Sequence, residues 1–165
     1  MRRSWSRRGV TPVIPYSASR RRLHAVGAIC LAPKGTIREH FQIRKKGITD
    51  ANLFWFLVQL RKFYKRPLIV VWDNWSVHAK VERCFELFEF AWIRFERLPA
   101  YAPELNPVEF LWSQTKYHDL GNYVPPDSKA EWMADIEASL RKANRRKKLL
   151  KSFFKGAGLG IKEFT

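Results

Sequence analysis

No acidic residue stands before Glu39. Residues 1–38 hold nine cations, Arg2, Arg3, Arg7, Arg8, Arg20, Arg21, Arg22, Lys34 and Arg38, with nothing to balance them. Over the whole chain 31 Lys and Arg face 15 Asp and Glu, a formal net charge of +16. A folded domain with that excess meets a polyanion. Nucleic acid fits better than an anionic membrane surface, because no lone amphipathic basic helix dominates the sequence. Cysteine is nearly absent. Cys30 and Cys84 lie far apart and in no metal-ligand spacing, which argues against a disulfide framework or a thiolate metal site and leaves two small buried hydrophobes in a reduced protein. No apolar run reaches the roughly 18–20 residues of a membrane-spanning helix. The basic N-terminus is not followed by the apolar core of a signal peptide. The expectation is a cytoplasmic protein with no membrane partner. Internal repeats and low-complexity segments are missing as well.

What is present is a chain of 165 residues, 46% apolar, enough for one compact domain with a sizeable core. Residues 1–20 read as a basic arm, extended around "TPVIPY" because a residue before proline is pushed towards the β region. Residues 22–43 read as a hairpin. "TIREHFQI" alternates, with Ile37, Glu39, Phe41 and Ile43 on one face and Arg38, His40 and Gln42 on the other. At residues 48–64 the period changes. Thr49 or Asp50 can cap a helix whose Leu53, Phe54, Phe56, Leu57, Leu60 and Phe63 recur at helical spacing. Leu68 to Trp72 is a continuous apolar run, the mark of a central strand covered on both faces. A helix over 77–90, a strand over 92–99 and a helix over 107–119 follow. A last helix starts near Ser128, with Glu131 three residues on as in a capping box, and runs into the basic "RKANRRKKLLKSFFKG". The order β-β-α-β-α-β-α-α predicts an α/β fold with a helix-covered sheet. Trp72, Trp92, Trp112 and Trp132 read as core rather than base-stacking residues.

Two acids sit where chemistry gathers. Asp73 stands where a buried strand stops, and functional groups collect at the carboxyl ends of strands in open α/β sheets. It reads equally as a helix cap or turn former. Glu109 lies in "YAPELNPVEFLW" (101–112). Asn106 is a good N-cap, Pro107 suits the first helical position and Glu109 the third, so a capping box is one reading of it. The other is a metal ligand. A hard divalent ion prefers carboxylate oxygens, and two acids on separate elements converge if the loop between them is stiff. Pro99, Pro103 and Pro107 stiffen this one.

"VVWDNWSVHAK" followed by "RLPAYAPELNPVEFLW" resembles the catalytic core of mariner-like transposases and the related bacterial insertion-sequence transposases of the DDE superfamily. That pattern is an apolar strand, Asp-Asn-x-x-x-His, about 35 residues, and Leu-Pro-x-Tyr-x-Pro-x-Leu-Asn-Pro-x-Glu-x-x-Trp. Here 35 residues separate Asp73 from Glu109, and Leu98, Pro99, Tyr101, Pro103, Leu105, Asn106, Pro107 and Trp112 stand in place, as does His78. "SWSRRGVTPV" near the N-terminus looks like the segment after the family's first catalytic strand, so the resemblance covers nearly the whole chain. It implies a ribonuclease H-like mixed sheet flanked by helices, and Mg²⁺- or Mn²⁺-dependent cleavage and strand transfer on double-stranded DNA at transposon ends and target. Asp73 and Glu109 would be the second and third catalytic carboxylates and the metal ligands. Asn74, His78, Tyr101 and Asn106 would support the metal ligands or shape the loop. In this division residues 1–20 are the arm, 21–125 a partial catalytic core and 126–165 a basic helical region of the same domain.

The sequence departs from the pattern in one respect. The family uses three carboxylates, and the only acids before Asp73 are Glu39 and Asp50, neither in the motif context of the first. The expectation is a chain without the first strand and its Asp, impaired in catalysis. The rival expectations are a non-catalytic DNA-binding module and an inhibitory partner of full-length transposase, or a homodimer. Arg2, Arg3, Arg7, Arg8, Arg145, Arg146, Lys147 and Lys148 would contact phosphates, or form a solvated face.

Overall fold

A computed structural model describes residues 7–9 and 22–160. Of the basic arm expected over 1–20, only Arg7, Arg8 and Gly9 are described, all exposed; Arg2 and Arg3 lie outside the described residues.

The alternation at residues 22–43 builds a hairpin. β1 (His24–Leu31) and β2 (Ile37–Arg44) pair antiparallel, with Leu31 opposite Ile37 and Ala25 opposite Ile43. Gly35, at φ 73, makes the turn in a conformation that side-chain-bearing residues avoid. One hairpin face packs Val26, Ala28 and Cys30 under α1 (Asp50–Tyr64), whose buried stripe is Leu53, Phe56, Leu57 and Leu60. Thr49 caps α1. Its Oγ1 accepts from the Asn52 amide at 3.3 Å, and Asn52 Oδ1 accepts from the Thr49 amide at 3.1 Å, a complete capping box.

β3 (Leu68–Trp72) and β4 (Ile93–Arg97) are parallel, joined by the crossover helix α2 (Ser76–Leu87). Leu68, Val70, Trp72, Ile93 and Phe95 turn inward onto α1 and α2, where Val81 and Phe85 meet them. The outer face differs from expectation. The apolar run 68–72 predicts cover on both sides, but Ile69 is 71% and Val71 55% exposed. Nothing among the described residues lies over them.

The sheet differs too. One continuous mixed sheet is expected; the described residues form two separate two-stranded sheets, β1–β2 and β3–β4, with no ladder between β1 and β3. Helix α1 bridges the two through a shared apolar cluster, so the α/β class holds while the continuous sheet does not.

The C-terminal half covers the other hairpin face. The helix expected over 107–119 is α3 (Pro107–Ser113), which widens into a π-helical stretch over Gln114–Asp119. The last expected helix is two, α4 (Lys129–Arg145) and α5 (Lys147–Gly156), broken at Arg146 with φ −90 and ψ 72. At its start Ser128 Oγ accepts from the Glu131 amide at 3.4 Å. Leu111, Leu140, Leu150 and Phe153 pack with Ile29, Leu31, Ile37, Phe41 and Ile43. The basic C-terminal region therefore shares the hairpin's core. Trp112 presses its ring onto Gly27; a Cβ there would lie 2.8 Å from Cη2, which fixes α3 against β1. No helix among the described residues is long and apolar enough to cross a membrane.

Candidate active site

β3 and β4 end side by side, and two hydrogen bonds hold their ends together. The Leu98 amide donates to the Trp72 carbonyl at 2.8 Å, and Asn74 Nδ2 donates to the Leu98 carbonyl at 3.0 Å. Beneath them Glu82 of α2 accepts from Trp72 Nε1 at 2.7 Å and from Arg97 Nε at 3.1 Å. The Arg97 guanidinium holds the Glu82 carboxyl below its usual range, against the opposing effect of burial. This network pins α2 to the ends of both strands, and sequence reasoning missed it. The available signal was an acid set on the apolar stripe of α2, beside Val81 and three residues before Phe85.

Asp73 follows Trp72 directly. Its Oδ1 accepts from the Trp75 amide at 3.0 Å, the side-chain turn that opens α2. His78 Nδ1 lies 2.9 Å from the same oxygen and 3.1 Å from the Asp73 carbonyl. The imidazole stacks on Trp72, with centroids 4.2 Å apart and planes 2° from parallel. The turn-forming reading of Asp73 is thus realised in one oxygen. The other, Oδ2, accepts no hydrogen bond among the described residues, and the side chain is 56% exposed.

Glu109 presents the complementary case. Asn106 Oδ1 accepts from the Val108 amide at 3.1 Å and caps α3, with Pro107 in its first turn. A capping box would need Glu109 to accept from the Asn106 amide. That amide donates instead to the Pro103 carbonyl at 3.0 Å, closing the 3-10 turn Pro103–Leu105. The Glu109 carboxylate is exposed and forms no hydrogen bond or ion pair with the described residues. The contrast with the complete box at Thr49 is direct: there both bonds form, here the proline-built turn has taken the donor.

Asp73, Asn74, Tyr101, Pro103, Asn106 and Glu109 line one cleft of about 390 Å³. Tyr101 takes φ 59 and its side chain is fully exposed. For a non-glycine residue that conformation costs about 1–2 kcal/mol, sustained by the stiff prolines around it. His78 stands behind Asp73 and does not line the cleft. The cations Arg145, Arg146, Lys147 and Lys148 are exposed at the α4–α5 junction, and they do not line it either. Lys147 Nζ donates to Asn144 Oδ1 at 3.0 Å.

The donor set suits a hard cation. Mg²⁺ binds through one or two carboxylates and keeps several waters, and two carboxylates with uncommitted oxygens open on this cleft. Among the described residues no three His, Cys, Asp or Glu side chains converge on one point. The two earlier acids are elsewhere. Glu39 is buried in the hairpin and Asp50 opens α1.

The frame is α/β, with one acid just past the end of a parallel strand and a second on the first turn of α3, and both line the same cleft. The chain belongs to the DDE superfamily endonucleases, whose family model matches residues 1–130. A comparison with curated proteins gives no match. Membership sets the coarse function: a transposase-type nuclease family, acting on DNA and using divalent metals. Most of α4 and all of α5 lie beyond the match.

Proposed function

We propose that this chain carries the second and third metal-binding acids, Asp73 and Glu109, of a mariner-like or bacterial insertion-sequence DDE transposase with a ribonuclease H-like core. The observation that carries the reading is the cleft that both uncommitted carboxylates line, one just after β3 and one on α3. Bound there, Mg²⁺ or Mn²⁺ would activate the attacking oxygen and stabilise the leaving oxygen of a phosphodiester. The protein's own part is positioning. His78 and the Trp75 amide fix one oxygen of Asp73, so that the other keeps a constant direction. Trp112 on Gly27 and buried Leu111 fix α3, and with it Glu109. The substrate is double-stranded DNA at transposon ends and target, attacked by water or by a DNA 3′-hydroxyl.

In this reading the cleft holds two acids of the family's three: among the described residues no third acid reaches it, and the β1–β2 and β3–β4 pairs are not joined. Two carboxylates alone hold metal weakly, so this chain by itself is impaired in cleavage. The test is Mg²⁺-dependent nicking of a DNA duplex carrying the element's ends. The chain alone should show only trace activity. Addition of a segment bearing the missing strand and Asp should restore cleavage that Asp73→Asn and Glu109→Gln each abolish. Robust cleavage by the chain alone, lost in Asp73→Ala, would contradict the impairment.

One observation favours a second reading. Every strand among the described residues keeps an unpaired edge, which invites pairing with another chain. The chain would then act as an inhibitory partner of full-length transposase in the nucleoid. Failure to co-purify with the full-length protein would remove that reading.

A further inference from the structure

A second groove, of about 670 Å³, lies along the outer side of α1, lined by Trp55, Val58, Arg61, Lys62, Lys65 and Trp92 among others. It is near the amino ends of β3 and β4, whereas Asp73 stands at the carboxyl end of β3. The five residues of β3 between them span ~17 Å. The groove is therefore a separate surface.

Its chemistry is specific. Trp55 is 61% exposed, although it sits on a helix whose neighbours Leu53, Phe56 and Leu57 are buried. Lys62 and Lys65 follow it along α1 and are exposed, and no acid among the described residues lines the groove. The Arg61 guanidinium sits 5.9 Å from the Trp92 ring centroid, and its Nη1 is buried without a hydrogen-bond acceptor among the described residues. A buried guanidinium N–H without an acceptor is costly, and an incoming anion relieves it. Aromatic faces beside cations that track a backbone are how single-stranded nucleic acid is held. A duplex cannot use an open indole in the same way, because its base faces are already stacked.

We propose that this groove binds a single-stranded nucleic-acid segment, one unpaired base stacking on Trp55 and the adjoining phosphates meeting Arg61, Lys62 and Lys65. The exposed indole beside three cations favours this occupant over an acidic protein, which has no base to stack and would read charge alone. The site needs no metal and is independent of the roles of Asp73 and Glu109.

The test uses the full chain in EDTA, with a short labelled oligothymidylate and a duplex of the same length, followed by fluorescence anisotropy. Trp55→Ala should weaken single-strand binding about 10-fold and leave duplex binding unchanged, while Trp55→Phe retains most of it. Lys62→Ala with Lys65→Ala should flatten the salt dependence by about 1.4 log units per log unit of salt, near 0.7 for each phosphate that is no longer neutralised. Thermal melting of Trp55→Ala should match that of the parent, since the ring is largely exposed. The proposal fails if Trp55→Ala binds the single strand as the parent does, or loses single strand and duplex alike. It fails equally if an abasic oligomer binds as well as oligothymidylate, or if polyaspartate displaces the strand with equal efficacy.

Discussion

The two strand pairs of this molecule are built to different standards. The β1–β2 hairpin is covered on both sides, by α1 on one face and by α3, α4 and α5 on the other. Among the described residues the parallel β3–β4 pair is covered on one side only, and Ile69 and Val71 face outward. Parallel strands are ordinarily buried on both faces. The half that carries Asp73 is thus the half with less support among the described residues, held at the carboxyl ends of its strands by polar ties. Those ties are Glu82 to Trp72 and Arg97, and Asn74 to Leu98. The hairpin half has the reverse arrangement, with ample apolar cover and one buried acid, Glu39, whose oxygens find no partner among the described residues.

If polar ties hold the parallel half, breaking the central one should have the largest effect. Glu82→Ala leaves Trp72 Nε1 and the Arg97 guanidinium without their acceptor. A loss of about 3 kcal/mol in urea unfolding is expected, with the amides of Trp72–Asn74 shifting most in NMR. A loss below about 1 kcal/mol would show that the apolar contacts of α2 suffice. The Glu82 carboxyl, held low by Arg97, also has a pH signature. Its folded pKa lies below the unfolded value, so its contribution is present above the unfolded pKa and disappears as pH falls through the folded one.

Glu39 should show the opposite dependence. Burial pushes its carboxyl up from 4.5 to about 7, with Lys147 opposing the shift. The folded state holds the proton more tightly than the unfolded one. The carboxyl's contribution is therefore full below pH 4.5, and falls as pH rises to about 7, by on the order of 3 kcal/mol. Glu39→Gln should abolish that fall and be the more stable protein at about pH 8. An unchanged pH profile in Glu39→Gln would assign the titration to another group.

The smallest effect is expected on the uncovered face. Ile69→Thr and Val71→Thr should each change stability by no more than about 0.5 kcal/mol, because both side chains are already in water. Ile37→Thr in the covered hairpin should cost several times more, since Ile37 is 2% exposed. A large loss at Ile69 would mean that the outer face of β3 is covered in solution, for example by self-association.

Legibility in the sequence follows the same division. The hairpin and α1 could be read because alternation and helical period report burial on a given face, and Thr49 carries its own cap. The run Leu68–Trp72 announced two covered faces, but a run says only that a strand wants cover. What provides that cover is settled by other segments, and here the described residues provide half. The break between α4 and α5 at Arg146 was illegible because "NRRKKLLK" holds neither glycine nor proline to mark it. At the site, sequence position left Asp73 and Glu109 each with two readings. For Asp73 the turn reading is realised and does not exclude the other: a carboxylate has two oxygens, and one of them makes the turn. For Glu109 the deciding fact is which acceptor the Asn106 amide takes, a matter of tertiary geometry invisible in the spacing. Glu82 escaped because its partners lie 10 and 15 residues away on other elements.

The central claim is that Asp73 and Glu109 hold one divalent ion between them. The direct measurement is paramagnetic broadening of amide NMR signals during Mn²⁺ titration. Amides at Asp73–Asn74 and at Asn106–Phe110 should broaden together, at the same Mn²⁺ concentrations, and Asp73→Asn should abolish the effect at both places. Broadening at only one of the two segments, or broadening at Glu109 that survives Asp73→Asn, would contradict the account.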